Sequence, residues 1–284
     1  MEESVRRRND QPAQIAVREF VKKMTEGHPS GDFPTIKTLN NIKRKDLISF
    51  HEKYFQPQNI VMAITGDFQK SKMLSLLKKT LGTWKPEKVN YPEIPEFNKN
   101  PAPKVYHVQK PFKQSIILLG HPAIKFDNDK YAALNLANRI LGGTGGSRLF
   151  KEIRSKRGLA YSVGSQLTQG FDYPGYFYTF AISRADKTGT VIELILSEIK
   201  KITQEKVTKE EFENNRKAIL NQAVFRYNSP HQITSRQAMI DFLELEPDYY
   251  KEYIEKNKKM DREKMKKEVA QEINAEGSVI MVGG

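Results

Sequence analysis

Apolar residues recur along the chain with two periods, and the switches between those periods mark out the elements. Between residues 10 and 27, Ile15, Phe20 and Met24 fall near one face with Ala16 beside them, which predicts a helix ended by Gly27. Leu47, Phe50, His51 and Tyr54 recur at i, i+3, i+4 and i+7 and predict a second helix. The unbroken apolar run 60–64, closed by Gly66 and Asp67, reads as a buried strand. Met73, Leu76, Leu77 and Leu81 then mark a third helix, stopped by Gly82. Residues 85–104 have no apolar period and carry Pro86, Pro92, Pro95, Pro101 and Pro103, the composition of a stiff, extended connection.

Beyond that connection, strands are expected over 105–109 and 114–120, and Ala132, Leu136, Ala137 and Ile140 form one helix face. A glycine-rich loop follows, with Gly142 and Gly143 before Thr144 and Gly145 and Gly146 after it. Ser147, Leu149, Phe150 and Ile153 then suggest a helix of about three turns, with the Ser147 hydroxyl as N-cap and Gly158 as its left-handed stop. Residues 159–163 read as a strand, and Tyr176, Tyr178, Phe180 and Ile182 alternate as a half-buried strand does. Val191, Leu194, Ile195, Ile199 and Ile202 give a helix; Thr208 and Glu211 form a capping box opening another, with Phe212, Ile219, Ala223 and Tyr227. Helices over 230–244, 248–258 and 262–273 and a strand over 278–282 complete the chain. Residues 45–66 and 262–284 share the order helix, break, apolar strand, glycine, a faint internal repeat.

Composition narrows the classes. At 38% hydrophobic residues the 284-residue chain can build cores, and no apolar run approaches the ~20 residues of a membrane span. The first residues show no apolar segment after their basic run, so no signal peptide is expected. Zero cysteines exclude disulfides and thiolate metal sites and leave the compartment open. The net charge of +13 invites a nucleic-acid reading, but the excess is spread: +7 over residues 1–90 and +6 over the remainder. Only Arg6 to Arg8 and Lys43 to Lys45 are compact clusters, and no nucleic-acid-binding module accompanies them, so a solvated basic surface is expected.

A family resemblance rests on an ordered set of motifs. Arg18-Glu19-Phe20, His28-Pro29, Phe50-His51, Pro57-x-Asn59, Gly66-Asp67-Phe68 and Gly82-x-Trp84 are followed by the glycine-rich loop, Ser147-Arg148-Leu149, and Arg157-Gly158-Leu159-Ala160-Tyr161. This order resembles the pitrilysin/insulinase-type zinc peptidases, relatives of the mitochondrial processing peptidases, over the end of their first domain and their second, non-catalytic domain. The resemblance implies an α+β fold of two-layer sandwich domains, each a mainly antiparallel sheet with helices packed on one face. It divides the chain into residues 1–84, the rear half of a first domain; the connection 85–104; and 105–284, a nearly complete second, substrate-binding domain.

In that family an arginine and a tyrosine seven residues apart face the active site, and Arg154 and Tyr161 keep the spacing. The resemblance makes Arg154 a forked donor to substrate backbone and Tyr161 a donor to the tetrahedral oxyanion. Gly142, Gly143 and Ser147 join them on the substrate-binding surface; Arg157 is undecided. Composition alone favours a plainer reading, a solvated helix arginine and a half-buried tyrosine. The loop fits neither glycine-rich phosphate motif, so its glycines are expected to allow close packing or a hinge.

The family's hydrolytic site needs His-x-x-Glu-His on one helix face, with both histidines on zinc. The five histidines here are His28, His51, His107, His121 and His231, no two of them four apart. No metal ligand is therefore assigned and no cofactor is expected on this chain; zinc is expected in a homologous half, upstream of Met1 or on a partner chain. His51 is expected on a helix surface, and His28 and His121 in turns. The resulting reading is the substrate-binding portion of a zinc peptidase that hydrolyses peptides held between two halves, with self-association of the open first-domain remnant. A degenerate structural subunit and a basic nucleic-acid-binding protein are the alternatives.

Overall fold

The computed structural model describes residues 1–95, 97, 98 and 101–284, without the side chains of Val224 and Arg226. Glu96, Lys99 and Asn100 of the expected connection lie outside the described residues; 85–95 has no regular structure and is mostly exposed. The helices and strands run in the order α1 Glu2–Arg7, α2 Pro12–Met24, α3 Ile36–Asn41, α4 Arg44–Tyr54, α5 Lys70–Leu81, β1 Val105–Val108, β2 Gln114–Pro122, β3 Ile124–Lys125, α6 Tyr131–Leu141. After a π-helical turn, Phe150–Ser155, come β4 Ala160–Leu167, β5 Gln169–Gly170, β6 Tyr176–Arg184, α7 Thr188–Gln204, α8 Lys209–Val224, α9 Pro230–Phe242, α10 Tyr249–Lys259, α11 Arg262–Glu272 and β7 Val279–Gly283.

Two compact units result, one built from Met1–Ile36, Ile94–Ile219 and Glu255–Gly284, the other from Lys37–Glu93 and Leu220–Ile254. The first holds a five-stranded sheet in the order β1-β7-β2-β6-β4. β2 is its apolar centre, antiparallel to both β6 (Gln114 opposite Arg184) and β7 (Ile116 opposite Gly283), while β7 runs parallel to β1. Side chains alternate across β2. Ile116 and Leu118 join Ala16, Phe20 and Met24 of α2 with Val279 and Met281 of β7 in one core. Ile117 and Leu119, on the opposite face, are fully buried on the side of α6, α7 and α11. The α+β class and the mainly antiparallel sheet are as the motifs imply, with the main helical layer on one face; α2 adds a helix on the other.

His121 departs from expectation. It lies in β2 rather than in a turn, buried, with Nδ1–H donating to the Pro122 carbonyl (2.7 Å) and Nε2 accepting from the Asn274 amide (3.1 Å). Burial pushes its pKa down, against the Pro122 hydrogen bond, so it serves the fold as a neutral imidazole. His28 does cap a turn, accepting from the Ser30 amide at 3.2 Å.

In the second unit α4 and α5 bury no residue, and the expected strand at 60–64 does not form. The segment is extended but unpaired, and Ile60, Val61 and Met62 are exposed. An apolar run becomes a strand only where a neighbouring strand takes up its backbone hydrogen bonds; here the Ile60 amide donates to the Pro57 carbonyl of the preceding turn (3.2 Å), and no described strand pairs with the segment.

Candidate functional site

The loop after α6 is set by contact with β4. The Ser165 amide donates to the Gly142 carbonyl (3.1 Å), and the Ser165 hydroxyl to Asn138 Oδ1 (2.7 Å). Gly142 is buried and Gly143 exposed, and a β-carbon on either would meet backbone: Ser165 N at 2.3 Å or Arg139 Cα at 3.0 Å. Close packing is therefore what these glycines permit. Ser147 stands where a helix begins, its carbonyl accepting from the Lys151 amide at 3.0 Å. Its hydroxyl, however, is buried without a hydrogen-bond partner and caps nothing. That corrects the expected N-cap: the side chain is buried rather than bonded to an amide of the first turn.

The expected three-turn α-helix is instead the π-helical turn, with the Lys156 amide donating five residues back to Lys151 (2.9 Å). π-turns are rare and concentrate at functional sites. Gly158 stops the helix with φ of 62°, as anticipated, its amide donating to the Arg154 carbonyl at 3.0 Å. The next irregularity is in β4. Ala160 pairs with Ser183 and Ser162 with Ile182, leaving Tyr161 as the extra residue of a β-bulge, a device that re-aims a side chain.

These two irregularities bring the sequence-predicted pair together. Tyr161 is 74% exposed, and the guanidinium of the exposed Arg154 lies 5.7 Å from its ring centre. The Arg154 guanidinium also lies 5.0 Å from the Phe150 ring centre, a contact that the sequence reading missed although its four-residue spacing is a helical signature. Arg157 is committed elsewhere: it donates to the Glu152 carbonyl (2.8 Å) and carboxylate, and Lys156 holds the same carboxylate. Lys156 and Arg157 together push the Glu152 carboxyl down to about 2. No carboxylate pairs with Arg154 among the described residues.

A second anchor ties the segment to α8. Arg148 forks onto Glu211, with both bonds at 2.8 Å. Arg148 and the Thr208 capping-box hydrogen bonds hold the Glu211 carboxyl at about 2 despite burial, which acts the other way. A hollow of about 290 Å³ beside this pair is lined by Ile140, Thr144, Gly146, Lys151 and α8 residues. The histidines are dispersed: His51 is exposed and stacked on Phe55, and His107 Nε2 donates to the Gly284 carbonyl at 3.2 Å. Among the described residues no three His, Asp or Glu side chains converge to hold a metal, so those residues do not fit a zinc site.

A family model described as the peptidase M16 inactive domain matches residues 41–219, more than half of the chain. The chain belongs to the peptidase M16 family. Among M16 relatives, an uncharacterized zinc protease of Streptomyces coelicolor is 28% identical over 183 residues, 62% of this chain and 39% of that protein. The uncharacterized zinc protease YmxG of Bacillus subtilis is 24% identical over 245 residues, 85% of this chain and 58% of its own length. The chain thus spans about half the length of the relatives it matches. A crystal structure of a peptidase M16 inactive domain from Pseudomonas fluorescens shares the fold with a TM-score of 0.89 at 23% identity, over 99% of this chain and 68% of that one. M16 proteins work as two-domain or paired-subunit proteases. No described helix is long and apolar enough to cross a membrane.

Proposed function

We propose that this M16 chain is the substrate-binding, non-metal portion of a zinc peptidase. The observation that carries the reading is the pairing of Arg154 with Tyr161 on an exposed surface, aimed there by a π-turn and a β-bulge. A guanidinium that meets an aromatic ring without a carboxylate partner keeps N–H donors for the carbonyls of an extended peptide. A phenol beside it can donate to the oxygen of that peptide's scissile carbonyl as negative charge develops there. Gly142, Gly143 and Ser147 belong to the loop that leads into the π-turn and complete the proposed substrate-binding surface. Zinc would be held by a homologous half, an upstream segment or a partner chain, since the described residues do not fit it.

In this reading residues 105–284 form the substrate-binding domain, 85–104 the connection, and 1–84 part of a first domain. The exposed apolar side chains of the second unit, Leu47, Phe50 and Leu76 among them, together with the unpaired segment 60–64, suit a covering half or a second copy.

The test is Tyr161→Phe in the assembled peptidase. A donor that acts mainly in the transition state should lower kcat by roughly 10²–10³ with little change in KM. Wild-type turnover by this variant would refute the role of Tyr161.

A further inference from the structure

An exposed arginine with no carboxylate partner ordinarily samples many rotamers, which weakens any hydrogen bond it is asked to make. Arg154 instead lies against two rings. The Phe150 ring centre is 5.0 Å from its guanidinium carbon and the Tyr161 ring centre 5.7 Å. Phe150 opens the same π-turn that ends at Ser155, and it is only partly buried, so part of its ring is not committed to the core. Two nearby cations that might compete for the ring, Lys156 and Arg157, are both drawn to Glu152.

Stacking engages the π-face of a guanidinium and leaves its five in-plane N–H groups free. We propose that Phe150 is a positioning residue: its ring, together with that of Tyr161, restricts the Arg154 guanidinium to a placement from which it can donate to a bound peptide. The proposal rests on the reading of Arg154 as the group that grips substrate backbone. It makes Phe150 a residue that acts on KM through Arg154 while touching no reacting atom.

Two measurements test it. In this chain alone, the side-chain protons of Arg154 should show upfield ring-current shifts by NMR. Phe150→Leu should lose a large part of them and Phe150→Tyr should keep them. Phe150→Met, which preserves apolar bulk without a ring, replaces leucine if that variant folds poorly. In the assembled peptidase, Phe150→Leu should raise KM about two- to fivefold at unchanged kcat, the scale of an exposed cation–π contact. Phe150→Tyr should restore wild-type KM, and in an Arg154→Lys background Phe150→Leu should add almost nothing. Unaltered shifts and KM in Phe150→Leu, or an equal KM rise in the Arg154→Lys background, would overturn the proposal. If Arg154→Lys alone leaves the kinetics untouched, the substrate-gripping role of Arg154 fails. Loss of the shifts in Phe150→Leu would still support the clamp, and their persistence would refute it.

Discussion

At the scale of single residues, the loop is held by what cannot be added to it. A β-carbon at Gly142 would stand 2.3 Å from Ser165 N and 2.5 Å from Ser165 Oγ, so the backbone of β4 or the loop would have to move. Gly142→Ala should therefore destabilise the fold by about 1–3 kcal/mol, the usual cost of overpacking, measured by chemical denaturation. A wild-type midpoint would mean that the loop yields freely. Tyr161 should behave oppositely. With 74% of its surface exposed, its change to Phe should shift the melting temperature by no more than ~2 °C. Gly158 was legible in the sequence, because a residue ending a helix at positive φ is usually glycine. The idle Ser147 hydroxyl and the buried His121 were not. Their local signals, a cap residue and a His-Pro step, are overruled by burial at Ser147 and by the Asn274 amide at His121.

Elements show the same division between local and distant causes. The Thr208–Glu211 capping box is readable because both partners lie within one turn. Arg148, which forks onto the same carboxylate from far along the chain, leaves no local trace. The pair makes stability pH-dependent. Glu211 has its folded pKa lowered from 4.5 to about 2, so its contribution is complete above pH 4.5 and drains away as the pH falls to about 2. Glu211→Gln should cost about 2 kcal/mol at pH 7, discounted for solvent screening at this partly exposed pair. That deficit should shrink between pH 4.5 and 2, read by denaturation at each pH; parallel wild-type and variant profiles would contradict the assignment. The faint repeat makes the point again. Residues 60–64 and β7 share an apolar pattern, yet only β7 is a strand, since β1 and β2 flank it and nothing described flanks the other. Strand propensity registers a fit to neighbours more than a backbone preference.

For the molecule as a whole, the α+β class and the mainly antiparallel sheet followed from the family resemblance that the motif order carries, whereas the helix α2 on the second face and the strand order did not. The parallel pairing of β1 with β7 joins Val105 to Ile280, and the antiparallel pairing of β2 with β7 joins Ile116 to Gly283. This placement has a kinetic consequence. β7 is the last of the sheet's strands to leave a ribosome, yet it fills the slot between two of the earliest. Until it docks, β1 has no partner in the sheet and β2 presents an open row of amides and carbonyls, a template for pairing with another chain. Contacts so distant in sequence form slowly. Met281→Ala, in the middle of β7, should therefore speed unfolding while leaving the refolding rate near wild type, as measured by stopped-flow circular dichroism. Refolding slowed in proportion to the stability lost would instead make β7 part of the nucleus, and a nascent chain would then have nothing for this sheet to condense around until β7 was made.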